Sequence, residues 1–198
     1  MKRTRFSINV FAATIVVSAA ILLSSCNKSG GDTSKLQARV DSLQNELKKF
    51  TDEKAMTEMR LARFDSLDFE FYSKQDWKNF SISHDENIKV FYPDGTVTTG
   101  LYPQHIDMLT PMFAFAPDTK IKNHPVRFGS GDWTCVIGEM EGTFSKPMPI
   151  GNGITIPPTN KKFKLSMSTI GHWKDGKMIE EYLFWDNQAY MKQIGLAK

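Results

Sequence analysis

The sequence predicts an α+β domain, and three observations carry the prediction. Apolar residues at helical spacing come mostly first, from Leu36 to about Phe115, and long alternating runs follow. Lys174-Asp175-Gly176-Lys177 separates the last two alternating runs and is a type I′ hairpin signal. Helices followed by a meandering sheet is an α+β order, not the repeating βαβ of a parallel sheet.

Each element has its own warrant. Leu36, Val40, Leu43, Leu47 and Phe50 step by four and three, an apolar seam of about two heptads. The seam fits either a helical stalk docked on its neighbour or a weak dimer-forming coil. Met59, Leu61, Phe64, Leu67, Phe71 and Tyr72 predict a long helix that opens the globular part, and Trp77, Phe80 and Ile82 a shorter second one. Residues 88–92 alternate as a strand that stops at Pro93-Asp94-Gly95, with a return strand ended by Gly100. Pro103 suits the first turn of a third helix reaching about Phe115, which Pro111 is expected to kink or shorten. Strands are expected over 119–128 and 133–144. Residues 146–160, with four prolines and two glycines, read as a loop. The last strands are expected over 163–173 and 178–185, with a terminal helix at 188–194 stopped by Gly195.

The first residues speak of location. Lys2, Arg3 and Arg5 precede an uncharged apolar run over 10–23, too short for a full span of ~20 residues. Leu23-Ser24-Ser25-Cys26 resembles the lipobox of bacterial lipoproteins, cleaved before a Cys that takes lipid. The organisation expected is a signal peptide at 1–25, a polar tether at 26–35, a helical stalk at 36–55 and one domain at 56–198. Lipidation of Cys26 would hold the chain to membrane lipid in the cell envelope. Asn27, in place of an inner-membrane Asp, favours the outer membrane.

Charge and cysteines exclude several classes. The chain carries 25 basic and 22 acidic residues, and residues 1–25 hold three of the bases and none of the acids, so the remainder is balanced. A nucleic-acid partner is not expected, because phosphate binding needs a basic surface. Beyond Cys26 the one thiol is Cys135, alternating with Trp133 and Ile137, and it reads as a buried apolar residue. No Cys or His pair shows metal-ligand spacing and no Gly-rich phosphate loop occurs, so neither a metal nor another cofactor is expected.

From about Pro157 onward the motifs form a known order. Pro158-Thr159-Asn160-Lys161 precedes the penultimate strand. The Asp175-Gly176-Lys177 turn, Glu180-Glu181, Asp186 and the ending Gln193-Ile194-Gly195 follow. This series resembles the end of the SnoaL-like polyketide cyclase family, in the nuclear-transport-factor-2-like superfamily. The likeness covers roughly 61–196 and implies a cone, with helices packed on a curved, mostly antiparallel sheet around one apolar cavity. It also implies metal-free acid–base chemistry of the aldol-cyclase or isomerase kind, with Asp186 and His172 in the family's catalytic places. Strand alternation puts His172 on one face with Ile170 and Ser168, and Asp186 on one with Phe184 and Tyr182. Both are expected to line the cavity, along with Tyr92, Met112, Phe113, Tyr182 and Phe184 as ligand contacts. Asp186 is equally well placed to cap the last helix.

The other titratable residues look structural in the sequence. Glu180 and Glu181 read as solvated strand charges and His84 and His124 as surface groups, while His105 alone is a candidate to face the cavity. Phe91-Tyr92 stands where many relatives carry a polar residue, which argues for an apolar or amphiphilic ligand over a polyketide. The loop at 146–160 is expected to act as a partial lid through Ile150, Ile154 and Ile156. The function expected is small-molecule binding at the envelope, with or without acid–base catalysis. The alternative is a non-catalytic assembly or protein-interaction module that uses its exposed sheet face, a homodimer among the partners expected.

Overall fold

The computed structural model describes residues 30–198. The signal peptide, Cys26 and residues 26–29 of the tether lie outside the described residues. Residues 30–35, read as tether, are helical: α1 spans Gly30–Ser66 without interruption, so tether, stalk and first domain helix share one element. The chain divides within α1, into 1–44 and 45–198. Leu36, Val40, Leu43, Leu47 and Phe50 are all exposed, Phe50 by 76%. Among the described residues no helix is long and apolar enough to cross a membrane.

In residues 45–198, Leu61 and Phe64 of α1 are buried, and the chain continues into a widened helical turn, Leu67–Tyr72. A short 3₁₀ turn, Trp77–Ile82, leads into β1, His84–Phe91, which pairs with β2, Val97–Thr99. The turn Leu101–His105 opens α2, Ile106–Phe115, and Pro111 sits inside that helix without ending it. The expected strand at 119–128 is two pieces, β3 (Lys120–Ile121) and β4 (Val126–Ser130), both paired with β5, Trp133–Thr143. In the 146–160 segment β6 (Met148–Pro149) and β7 (Thr155–Ile156) form a small separate hairpin. β8 (Lys162–Lys174), β9 (Lys177–Phe184) and α3 (Asn187–Gln193) complete the chain. The β8–β9 turn is of the expected type, with positive φ at both Asp175 (49°) and Gly176 (77°).

The seven-stranded sheet has the order β2-β1-β9-β8-β5-β3, with β4 also on β5, and all pairs are antiparallel except β1 with β9. The fold is thus the α+β, mostly antiparallel sheet that the sequence predicts. Register separates its two faces. The inner one carries the row Thr134, Gly171, Glu181, Val90 and the row Val136, Thr169, Leu183. Phe64 anchors α1 over this face by edge contact with Trp173, whose Nε1 donates to Thr134 Oγ1 (2.8 Å). The outer face carries Phe91, Tyr182, Ile170, Cys135 and Phe128 in one row across five strands. Cys135 is therefore half-buried on the outer face and not a core thiol.

Inner-face glycines make room for what lies above the sheet. A Cβ on Gly138 would lie 3.3 Å from Ile121 and 3.7 Å from Asp68 Oδ2; one on Gly171 would meet Met178 Sδ at 2.6 Å. Small residues on a strand allow another group to approach closely.

A buried polar cavity as the candidate site

A cavity of about 170 Å³ lies between the inner sheet face and the helical turns. Its lining is largely apolar: Leu67, Met108, Leu109, Met112, Ile121, Met140, Met167, Leu183 and Trp185 contribute, and exposed Asp94 and Met108 stand at its edge. An engineered apolar cavity of ~150 Å³ holds a benzene ring, whereas drug-sized ligands occupy ~300–1,000 Å³. The space therefore suits a molecule, or the end of a molecule, about one ring in size.

Two polar clusters open into this apolar lining. The first comes from the widened turn after α1, which places Asp68 and Tyr72 one turn apart on the cavity wall. Widened turns of this kind often occur at functional sites. Asp68 Oδ2 accepts from His124 Nε2 at 2.7 Å, and His124 Nδ1 donates to Asp65 Oδ1 at 2.8 Å. Arg127 closes the chain on Asp65 Oδ2 at 2.5 Å. Burial raises the Asp68 pKa above its usual 3.8, more than the hydrogen bond and charge of His124 lower it. Burial works against the charge of His124, but hydrogen bonds and attraction from Asp68 and Asp65 prevail and raise its pKa above 6.5. His124 is thus an imidazolium held between two carboxylates. The Tyr72 hydroxyl meets only sulfur, at 3.7 Å from Met112 and 3.6 Å from Met140, and burial raises its pKa. Thioether sulfur is a weak acceptor, so this donor is open to a better one.

The second cluster is His84, His105 and Glu181, each almost fully buried. β1 begins with His84, the turn before α2 supplies His105, and β9 supplies Glu181. His105 Nε2 lies 3.5 Å and His84 Nε2 3.7 Å from Glu181 Oε2. Burial lowers the His105 pKa to about 4 and leaves the ring neutral. Burial alone would raise the Glu181 pKa, but His84 and His105 outweigh it, and the group stays a carboxylate. Tyr92 Oη bonds His105 Nδ1 at 2.9 Å, and His84 Nδ1 lies 3.0 Å from Ser83 Oγ.

The structure does not bring His172 and Asp186 together in the cavity. His172 lies on the outer face, stacked on Trp133 (centroids 4.2 Å, 1°) and bonded through Nδ1 to Glu180 Oε2 (2.9 Å). Asp186 is exposed and caps α3, accepting from Ala189 N at 2.9 Å. Of the expected ligand contacts, Tyr92 and Met112 line the cavity. Tyr182 is on the outer face, stacked on Phe91 at 4.4 Å, and Phe184 is 51% exposed. Phe113 packs behind the lining, against Tyr72 and Trp77. Alternation grouped the β8 and β9 residues correctly, but the other set faces inward. Glu181, His84 and His124 are buried site residues, not solvated charges. No residue of the 146–160 loop lines the cavity: Met148 and Ile156 pack on the core, while Ile150 and Ile154 are exposed.

The fold, with its cavity between the sheet and the helical turns, is that of a nuclear-transport-factor-2-like domain. Within that class, the sequence profile of the SnoaL-like polyketide cyclase family matches residues 65–194, and the chain belongs to this family. Among solved structures it is similar to a SnoaL-like protein of Jannaschia sp. CCS1, at 18% identity and TM-score 0.61, covering 72% of this chain and 96% of the other. It is also similar to IdmH of Streptomyces antibioticus, a candidate polyketide cyclase, at 19% identity and TM-score 0.58, covering 69% and 98%. A candidate polyketide cyclase of Xanthomonas campestris pv. campestris aligns at 12% identity and TM-score 0.60, covering 71% and 99%. No curated protein matches the chain in sequence. These structural likenesses establish the fold and leave the chemistry to the residues of the cavity.

The Asp65–His124–Asp68 chain has a signature in stability. A His pKa raised on folding contributes stability that is fully present below 6.5 and lost as pH rises through the folded value. Urea denaturation between pH 6 and 9 should show stability falling with pH, and His124→Gln should flatten that slope. An unchanged slope in the variant would place the titration elsewhere.

Proposed function

We propose that this domain binds a small apolar or amphiphilic carbonyl compound and shifts a proton on it, with Asp68 as base and Tyr72 as oxyanion donor. The observation that carries the reading is their position: one helical turn apart, both on the wall of an apolar cavity, the hydroxyl held only by sulfur. A carbon acid next to a carbonyl loses its proton when a carboxylate reaches it and a donor meets the oxygen that gains charge. Asp68 meets the first need, its basicity raised by burial, and His124 fixes its orientation from behind. Tyr72 meets the second, since a developing oxyanion accepts far better than a thioether. The reaction class is that of an isomerase- or aldol-type cyclase, carried by residues other than His172 and Asp186. A one-ring cavity favours a small ring, or the ring end of a longer amphiphile, over a fused polyketide.

In the cell, the proposed setting is the bacterial envelope, with Cys26 lipidated and the chain held to membrane lipid, outer membrane favoured. The charged n-region, the short apolar run and Leu23-Ser24-Ser25-Cys26 support that setting. An amphiphile partitioned near the bilayer would then be at hand for the cavity edge at Met108 and Asp94.

A second reading, assembly, has its own observation. The outer row from Phe91 to Phe128, with Trp133 (43% exposed) and Phe184 beside it, is an aromatic face that suits a second copy of the chain. Sedimentation should find a dimer that Trp133→Lys disperses; a monomer at every concentration would end this reading.

The catalytic reading is tested by proton exchange. Small cyclic ketones in D₂O should take up deuterium beside the carbonyl, followed by NMR. Asp68→Asn should slow exchange by about 10²–10⁴-fold and Tyr72→Phe by about 10²-fold, with ligand affinity kept. The wild-type rate should fall in acid as Asp68 takes a proton, at a pH above 3.8. A wild type no faster than Asp68→Asn would reduce the site to binding alone.

A further inference from the structure

We infer that His84, His105 and Glu181 form a binding site for one divalent transition-metal ion, with a coordination position open to the cavity. Three observations meet here. First, one ring nitrogen each of His84 and His105 and one Glu181 oxygen all lie within 4.8 Å of one another. Two atoms bound tetrahedrally to zinc at ~2.0–2.1 Å stand about 3.4 Å apart. The His84–Glu181 and His105–Glu181 separations, 3.7 and 3.5 Å, fall close to that spacing.

Second, His84 Nε2 and Glu181 Oε2 are buried and have no hydrogen-bond partner. At 3.7 Å they are too far apart to satisfy each other. An unpaired buried carboxylate oxygen and an unpaired ring nitrogen are each costly, and a shared cation satisfies both at once. Among the described residues no side chain makes a hydrogen bond to either atom.

Third, the far nitrogen of each ring is already held. His84 Nδ1 lies 3.0 Å from Ser83 Oγ and 3.3 Å from Phe80 O, and the tautomer that donates from Nδ1 to these oxygens leaves the Nε2 lone pair for a metal. Tyr92 Oη, 2.9 Å from His105 Nδ1, holds the second ring in place. Metal-binding histidines characteristically have such an outer partner. Two His and one carboxylate with an open position is the donor set of catalytic zinc and of non-haem ferrous iron. The open position faces the same cavity as Asp68, and this assignment stands independently of the role proposed for Asp68.

The test uses the intact protein without a His tag, stripped with chelator. Titration with Co²⁺ should give the visible bands of four-coordinate cobalt at one ion per chain. Zn²⁺ should displace the cobalt and raise Tm, and anaerobic Fe²⁺ competing as well as Zn²⁺ would mark the iron form of the same site. Glu181→Gln should weaken Zn²⁺ binding by more than roughly 100-fold. The milder Tyr92→Phe, which keeps all three ligands, should weaken it roughly 10–100-fold. Asp68→Asn should bind Zn²⁺ as the wild type does, even where it abolishes proton exchange. Wild-type protein that takes up no stoichiometric cobalt or zinc overturns the assignment. So does binding that Glu181→Gln and Tyr92→Phe leave intact, or binding that Asp68→Asn removes.

Discussion

Burial of charge inside an apolar cone is the constraint on which the rest of this site depends. Asp68 and Glu181 are both carboxylates with little exposure, 7% and 4%, among Leu, Met and aromatic side chains. An isolated ion in such surroundings is strongly disfavoured, so each must have compensation built around it. Asp68 has it from the sequence-distant His124, itself steadied by Asp65 and Arg127. Glu181 has two histidines at a spacing longer than a hydrogen bond. The first cluster is closed and the second is not, and that difference separates the roles assigned to them.

Architecture follows from the same need. The sheet turns Glu181 and Thr169 inward in rows with Gly171 and Val136, so the polar groups sit where a small residue or a short side chain leaves space. The widened turn after α1 then brings Asp68 and Tyr72 over that face, with Gly138 beneath the Asp68–His124 pair. Family membership accounts for the cone, the hairpin and the closing helix. It does not by itself carry the chemistry over, and the two residues expected from the resemblance, His172 and Asp186, stack on Trp133 and cap α3. One such scaffold can host many activities, so function has to be argued from the residues of the site.

Much of the fold was legible in the sequence and little of the site was. The Asp175-Gly176 turn, the Pro/Gly-rich 146–160 segment and the closing helix announce themselves through local backbone preferences, which the sequence states directly. The inward face of β8 and β9 was not readable, because both faces are apolar. Tyr182 and Phe184 alternate as convincingly as Leu183 and Trp185, and only the helices above the sheet decide between them. The triad escaped for another reason. His84, His105 and Glu181 come from three separate segments, so no local ligand spacing exists to be found. A usable signal was present in Glu181, a charge in register with Leu183 and Trp185 if that set is buried. Continuity of α1 was hidden as well, since an exposed apolar seam and a core-facing one read as separate elements.

The central claim is that the inner cavity, and not the outer face bearing His172, is where this protein meets its ligand. Methionine methyl groups report on it directly, because Met108, Met112, Met140 and Met167 line the cavity while Met59 and Met191 do not. Titration of methyl-¹³C-methionine protein with a small cyclic ketone, followed by NMR, is the most direct measurement. The expected result is saturable shifts confined to the cavity methyls. Shifts absent from those four, with Trp133 or Tyr182 responding in their place, would contradict the account.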